Sequence, residues 1–347
     1  MKKVNIGIVG AGFMGRTNAE TVCRYLNNAE LIAIAGGSRA PALAAEYNVR
    51  CEASVEALAT APDIDAVLIS TPHSEHCAQA LLAVSHGKHV LLDKPMATSV
   101  EECDRILDAV ENAHVNLMIM YGQRFRVCNI EAHRLLREGA IGQVRMIEEL
   151  ILASGGLASL PPWQSRPENV GTFIGHAVHN IDRIRWFTGA EVTSVAAHVQ
   201  RDRKSGNEAS TMALLSLTSG CMATVWESWD IPSPGFPHTA SGARIVGETG
   251  ILELDAYGQL RLGREGNWTV IAEQAPIDWA GEGMLANVRM KSYQAQHQEF
   301  VNSILESRSP SVTGQDGRAA VAVAEAAYES AREGRTVQVK HRASLVS

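Results

Sequence analysis

Val4-Asn5-Ile6-Gly7-Ile8-Val9-Gly10-Ala11-Gly12-Phe13-Met14-Gly15 is an apolar run that breaks into a glycine-rich turn. It reads as a strand handing over to a helix that covers 14–26. In such a turn Gly10 permits the tight reversal, Gly12 lets the backbone approach a pyrophosphate, and Gly15 lets the helix pack on the strand. The helix then turns its unpaired N–H groups toward the phosphates, with Phe13 and Met14 in the contact zone. Three glycines at this spacing are a weak sign alone. Their place directly after a strand and before a helix favours a dinucleotide site over a merely glycine-rich turn.

The whole chain sets bounds on that reading. Its 347 residues exceed a comfortable single core, which predicts two domains. With 46% hydrophobic and 20% charged residues it has the make-up of an ordinary globular protein. The balance of 31 basic against 38 acidic side chains, net -7, offers no basic tract for nucleic acid or an anionic membrane. No apolar run approaches the roughly 20 residues of a membrane span, and Lys2-Lys3 precedes a strand too short for a signal-peptide core. The cysteines at 23, 51, 77, 103, 128 and 221 are scattered, which predicts reduced thiols buried as small hydrophobes in the cytoplasm and no metal site. The expected partner is a small molecule.

Leu31 to Ala35 is a second, continuously apolar strand, as a parallel sheet covered on both faces requires. It ends in Gly36-Gly37-Ser38-Arg39. An acid that binds the ribose hydroxyls of NAD usually stands here, about 20 residues past the glycines. This chain has none; Ser38 and Arg39 instead suit a 2′-phosphate, so NADP(H) is expected ahead of NAD(H). The competing reading makes Arg39 a solvated residue that opens the helix at Pro41. Ile64 to Ser70 is a third strand, broken by Thr71-Pro72-His73 at the edge where open α/β sheets bind ligands, with Ser74 as a helix cap. Ser70, Thr71, Pro72, His73 and His76 are therefore candidate cofactor contacts. The two histidines either touch the cofactor or form polar surface, because no further ligands for a metal accompany them.

The strand His89-Val-Leu-Leu-Asp93-Lys94-Pro95 brings an acid and a lysine to the same edge. Desolvation there favours the neutral amine that an active-site proton shuttle needs, and Asp93 stands beside Lys94 as a further cofactor contact. Ser99 with Glu102 forms a capping box for the next helix.

Gly10-Ala-Gly-Phe-Met-Gly15, Thr71-Pro72 with His76, Asp93-Lys94-Pro95, Tyr121-Gly-Gln-Arg-Phe-Arg126 and His179-Asn-Ile-Asp182 together resemble the Gfo/Idh/MocA family of sugar and cyclitol dehydrogenases. The likeness covers essentially the full chain, with Asp93 a shortened form of the family's Glu. It implies an α/β protein: an N-terminal Rossmann domain with a doubly wound parallel sheet, and a C-terminal α/β domain with a large, mainly antiparallel open sheet. That sheet would support the substrate pocket and the interface of a homodimer or homotetramer. The resemblance also implies Lys94 and His179 as catalytic residues. In the family a carboxylate stands four residues before the histidine; here that position is Gly175.

Val115 to Tyr121 reads as the last Rossmann strand, which divides the chain into domains 1–122 and 123–347. Arg124, at the boundary, is a candidate substrate or cofactor contact. Beyond a helix from Ile130 to Glu138 and a strand from Gln143 to Ile151 comes a loop with Gly155-Gly156 and Pro161-Pro162-Trp163. Trp163 either stacks on a sugar or nicotinamide or closes a local cluster. Gly171 to Phe187 reads as one helix, with Thr172, His176, His179 and Arg183 on a polar face that looks into the cleft. His176 is a candidate substrate or relay residue and Asp182 a structural one. Short strands follow from Val192 to Ala272 without intervening helices, which implies antiparallel pairing. Glu227, Trp229 and the loop from Ile231 to His238 line the pocket or meet a partner subunit. Helices at 285–306 and 315–333 close the chain.

The expected activity is NADP(H)-dependent hydride transfer at a secondary alcohol or ketone of a sugar, sugar derivative or cyclitol. Two rivals stand beside it: a redox-neutral lyase, epimerase or glycosidase that oxidises its substrate transiently, and a non-catalytic nucleotide-sensing regulator.

Overall fold

The structure is a computed structural model that describes residues 3–154, 156–157, 160–169, 171–203, 205–236, 241–278 and 281–342. Gly155 and His238 lie outside the described residues.

Alternating apolar strands and helices build the first half: β1 (Val4–Val9), α1 (Phe13–Tyr25), β2 (Ala29–Ala35), α2 (Ala40–Tyr47), β3 (Arg50–Cys51), α3 (Val55–Thr60), β4 (Ala66–Ile69), α4 (His76–Ser85), β5 (His89–Leu92), α5 (Val100–Ala113) and β6 (Leu117–Ile119). The six strands form one parallel sheet in the order β3-β2-β1-β4-β5-β6. Every residue of β4 is buried, which is why its sequence is continuously apolar rather than alternating. The strand order reverses between β1 and β4, and ligands bind outside the carboxyl ends of the strands at such a switch point.

Local departures from the sequence expectation have simple causes. A short 3-10 turn, His73–Glu75, precedes α4, so Glu75 occupies the cap position and Ser74 does not cap. At α5, Ser99 Oγ accepts from Glu102 N at 3.2 Å as a capping box requires. The Glu102 carboxylate, however, takes Thr98 N at 2.9 Å and Thr98 Oγ1 at 2.7 Å, one residue before the usual partner.

The second half continues with α6 (Val127–Arg137), β7 (Val144–Ser154), α7 (Val178–Thr188), β8 (Val192–Arg201), β9 (Glu208–Leu217), β10 (Met222–Ile231), β11 (Ser241–Gly247), β12 (Ile251–Asp255), β13 (Gln259–Arg264) and β14 (Asn267–Glu273). It ends with α8 (Asn287–Leu305), α9 (Gly314–Glu333) and β15 (Val337–Gln338). Nine strands form a sheet in the order β14-β13-β12-β11-β7-β10-β9-β8-β15, antiparallel except where β7 meets β10. β9 alternates buried and exposed residues along most of its length, as a sheet with one covered face dictates.

By contact the chain divides into two units: Met1–Phe125 with Ile277–Arg318, and Arg126–Pro276 with Ala319–Ser347. Helix α8 lies beyond the 122/123 boundary expected from sequence, yet it packs on α1 within the first unit. Its Arg289 donates to Thr17 Oγ1 at 3.1 Å, and its Gln294 donates to the Tyr25 carbonyl at 3.0 Å. Such polar pairings across some 270 residues leave no trace in local periodicity. All six cysteines are unbridged, but Cys23 and Cys51 are exposed rather than buried, because they sit on the outer side of α1 and on the marginal strand β3. Among the described residues no helix is long and apolar enough to cross a membrane.

Candidate active site

Two of the three N-terminal glycines are demanded by the protein itself. Gly10 has φ +102°, and a Cβ there would lie 2.4 Å from the Ser70 carbonyl oxygen. A Cβ at Gly15 would lie 1.9 Å from the Gly10 oxygen. Gly12 is different: its φ of -84° is open to any residue, and a Cβ there would meet only Arg39 Nη2, at 3.4 Å. The fold gives no reason for glycine at 12, whereas close approach of a pyrophosphate does. The first turn of α1 adds to the fit, since it carries no acid and no side-chain cap on its N–H groups. The residues present therefore suit a dinucleotide.

Around this turn, Ser38 and Arg39 are exposed beyond Gly36 and Gly37, whose φ angles are +87° and +77°. Among the described residues Arg39 makes no ion pair. Phe13 is 46% exposed, and the buried Arg289 guanidinium stands 4.6 Å from its ring centre. Arg289 Nη2 also lies 3.8 Å from Met14 Sδ. No motif marks Arg289 in the sequence; only the packing of α8 brings it here.

The loops after β4 and β5 form a second cluster. Ser70, Thr71 and Pro72 are half-buried, with Ser70 Oγ accepting from Asn18 Nδ2 at 3.4 Å and Thr71 Oγ1 donating to Gln79 Oε1 at 2.7 Å. His73 and His76 are buried, not polar surface. His76 Nδ1 lies 2.8 Å from the Pro95 carbonyl oxygen and Nε2 lies 3.0 Å from that of Thr71. With 0% exposure, His76 has no surface to offer a cofactor; it ties the two loops together instead. Burial lowers the pKa of its imidazole from the ordinary range, against the pull of Asp93 and of the two carbonyls.

Asp93 and Lys94 stand beside this brace. Lys94 N donates to Asp93 Oδ1 at 2.8 Å, and the Lys94-Pro95 peptide is cis. Both residues keep some surface, but their ionisable ends are enclosed. Burial pushes the Lys94 amine down from the usual lysine range, with the Asp93 charge opposing, and pushes the Asp93 carboxyl up, with Lys94 opposing. A lysine whose neutral form is brought within reach, at the edge of a parallel sheet, can exchange a proton with an alcohol.

In the second unit the expected single helix is two pieces. Residues Phe173–Ala177 form a π turn and α7 follows it, so a constant 3.6-residue face does not run through the segment. Arg183 does not look into a cleft: it is buried, donates from Nε to Glu149 Oε1 at 2.8 Å and pairs through Nη2 with Glu149 Oε2. Asn180 Nδ2 donates to the same Oε2 at 3.0 Å. His179 is half-buried in the first turn of α7. His176 Nδ1 lies 3.1 Å from the Thr172 carbonyl oxygen, and its ring centre is 4.5 Å from that of Trp229. Glu227 and Trp229 thus belong with this turn. Their signal was readable, since an acid at 227 continues the inward side of Ala223 and Val225 on an alternating strand.

Two other expected contacts are differently placed. The Arg124 guanidinium is largely enclosed, paired with Asp316 Oδ1 at 3.1 Å and bonded to the Ser311 carbonyl at 3.3 Å, so part of its bonding capacity is engaged within the first unit. Trp163 is half-buried in a short 3-10 turn, Pro162–Ser165, whose Trp163 carbonyl accepts from Asn169 Nδ2 at 3.0 Å.

Known proteins are similar to this chain over nearly its whole length. A family model described as an oxidoreductase family with an NAD-binding Rossmann fold matches residues 4–121, and one described as the C-terminal alpha/beta domain of that family matches 133–339. An inositol 2-dehydrogenase of Saccharopolyspora erythraea is 27% identical, over 97% of this chain and 96% of its own. A 2,7-anhydro-N-acetylneuraminate hydratase of Mediterraneibacter gnavus is 23% identical, over 98% and 97%. The structure of a Lactobacillus casei scyllo-inositol dehydrogenase with bound NAD(H) and scyllo-inositol superposes with a TM-score of 0.80, at 25% identity over 97% of this chain and 99% of that one.

Proposed function

The chain belongs to the Gfo/Idh/MocA oxidoreductase family, whose N-terminal domain is an NAD-binding Rossmann fold, and from that premise we propose that it is an NADP(H)-preferring dehydrogenase of a secondary alcohol or ketone on a sugar, sugar derivative or cyclitol. The observation that carries the reading is the enclosed Lys94 beside Asp93 at the carboxyl edge of the parallel sheet. A bound nicotinamide dinucleotide supplies the hydride carrier. Lys94 Nζ takes the hydroxyl proton during oxidation and returns it during reduction, while Asp93 moderates the loss of its charge. The family resemblance implies for His179 the part of offsetting the charge that develops on the reacting oxygen. Gly10, Gly12 and Gly15 with Phe13 and Met14 hold the pyrophosphate end, Ser38 and Arg39 take the 2′-phosphate, and the loop Ser70 to His73 flanks the nicotinamide end. Trp163 and His176 contact the substrate.

To test this, 4-deuterated NADPH and NADH are each incubated with a panel of ketosugars and oxidised cyclitols, and products are read by mass spectrometry. Deuterium transfer to one compound, faster from NADPH, is the expected result; no transfer from either cofactor sinks the proposal, and equal or faster transfer from NADH sinks the NADP preference.

A redox-neutral reaction is the second reading, favoured by Gly175 in place of an acid and by the full-length similarity to a hydratase. It predicts solvent deuterium entering the substrate with no net change in NADPH. The partner for the large sheet is a second copy of the chain. Met146, Met222, Leu214 and Met212 are each about half exposed, and the register puts them on one face. A monomer by sedimentation at micromolar concentration removes that reading. Six unbridged cysteines suit a reducing compartment and hence the cytoplasm.

A further inference from the structure

Strand β10 carries an acid that the chemistry above does not use. Glu227 is fully buried, and its Oε2 accepts from Thr172 Oγ1 at 3.1 Å. Its Oε1 has no hydrogen-bond partner among the described residues and lies 4.0 Å from His176 Nδ1. A buried polar atom left without a partner is costly, so its presence asks for a role.

The surroundings define that role. His176 Nδ1 also lies 3.1 Å from the Thr172 carbonyl, which can only accept, so the proton sits on Nδ1 and the neutral ring keeps its lone pair on Nε2. Trp229 packs against the ring from the same strand as Glu227. Among the described residues a further charged neighbour is Glu208 on β9, which accepts from Thr211 Oγ1 at 2.5 Å, from Phe173 N at 3.1 Å and from the Tyr328 hydroxyl of α9 at 2.8 Å. Burial first, and the Glu208 charge second, hold the Glu227 carboxyl well above its ordinary range, while Thr172 and Trp229 pull the other way. His176 keeps 14% of its side chain exposed and Glu227 keeps none, so anything Glu227 does for a ligand passes through His176.

We propose that Glu227 is a positioning residue: its buried carboxyl orients the His176 imidazole and ionises as the ring takes up a proton, so that the carboxylate then stabilises the protonated ring, and His176 Nε2 carries a hydrogen bond to a substrate hydroxyl. The second half of this statement rests on the dehydrogenase reading; the pairing of Glu227 with His176 does not.

The test has two arms on the full chain. In the first, long-range nitrogen–proton spectra of histidine-labelled protein are recorded against pH, with His176 assigned through His176→Gln. The wild type should show the proton of the neutral ring on Nδ1, and Glu227→Gln, which keeps the Thr172 bond, should lower the His176 midpoint by about one unit, a tenfold change in acidity. An unmoved midpoint overturns the pairing whether or not any substrate turns over. In the second arm, with the compound found by deuterium transfer, Glu227→Gln should cut kcat about tenfold, alter the pH profile and leave NADPH affinity unchanged, with partial rescue by Glu227→Asp. Unchanged kcat and pH profile overturn the positioning role. If Glu227→Gln does not fold, His176→Gln must show the same altered profile, and a wild-type profile there also overturns the proposal. A shifted midpoint in a wild type that turns over no compound overturns the dehydrogenase reading and the substrate contact while the pairing stands.

Discussion

The two units hold their polar groups in different ways. In the first, the groups at the strand ends are anchored mostly to main chain: His76 on the carbonyls of Thr71 and Pro95, and Asp93 on the Lys94 amide. In the second, most of the anchors are other side chains: Arg183 and Asn180 on Glu149, Thr172 on Glu227, Tyr328 on Glu208. Main chain is present whatever the residue, so the first arrangement tolerates change in its supports. A network of side chains fails when one member is lost, because a buried partner is left uncompensated.

The sharpest way to break this contrast is Arg183→Met, which strands the Glu149 carboxylate. It should lower the free energy of unfolding in urea by about 3–5 kcal/mol, and adding Glu149→Leu should recover most of that. A loss below about 1 kcal/mol would mean that the second unit does not depend on its buried pairs.

Lys94→Ala tests the opposite side, where function rather than folding should suffer. Turnover is expected to fall about a hundredfold or more, roughly 3 kcal/mol in the barrier, with cofactor affinity and melting temperature little changed. Because burial lowers the Lys94 pKa and the neutral amine is the base, alcohol oxidation should rise with pH along a limb below the ordinary lysine range. That limb should be absent from the variant, and near wild-type turnover removes Lys94 from the mechanism.

A smaller effect separates the glycines of the first unit. Gly12→Ala should leave the melting temperature in place and weaken dinucleotide binding by about 2 kcal/mol, roughly thirtyfold, since the added methyl meets ligand rather than protein. Gly15→Ala should do the reverse and destabilise the fold itself, because its Cβ runs into the Gly10 carbonyl. Equal dinucleotide affinity in Gly12→Ala and wild type would undo the fit of this turn to a pyrophosphate. The smallest expected change is Arg39→Ala, which should reduce the NADP over NAD ratio of kcat/KM about tenfold. An unchanged ratio would return Arg39 to the solvated surface.

Much of the first unit was legible because its signals are local. The glycine turn, the continuously apolar strands and Asp93-Lys94-Pro95 each lie within a few consecutive residues, and the parallel order follows from the alternation of strand and helix. His73 and His76 looked ambiguous because a polar residue at a helix start is as easily surface as brace, and the carbonyls that bury His76 come from loops 5 and 19 residues away. Arg124 and Arg183 read as site residues for the same reason: a cation is visible in the sequence, but its partners Asp316 and Glu149 are not.

The sequence by itself determined the chemistry on offer: a dinucleotide turn, a lysine at a sheet edge and two histidines one helical turn apart, since residue type and short spacing specify these directly. Only the tertiary structure decided which charged groups are engaged elsewhere, that α8 joins the first unit, and that a buried glutamate on β10 faces His176. Those outcomes depend on contacts between residues tens to hundreds of positions apart, where desolvation makes every buried polar group require a partner that local pattern cannot name.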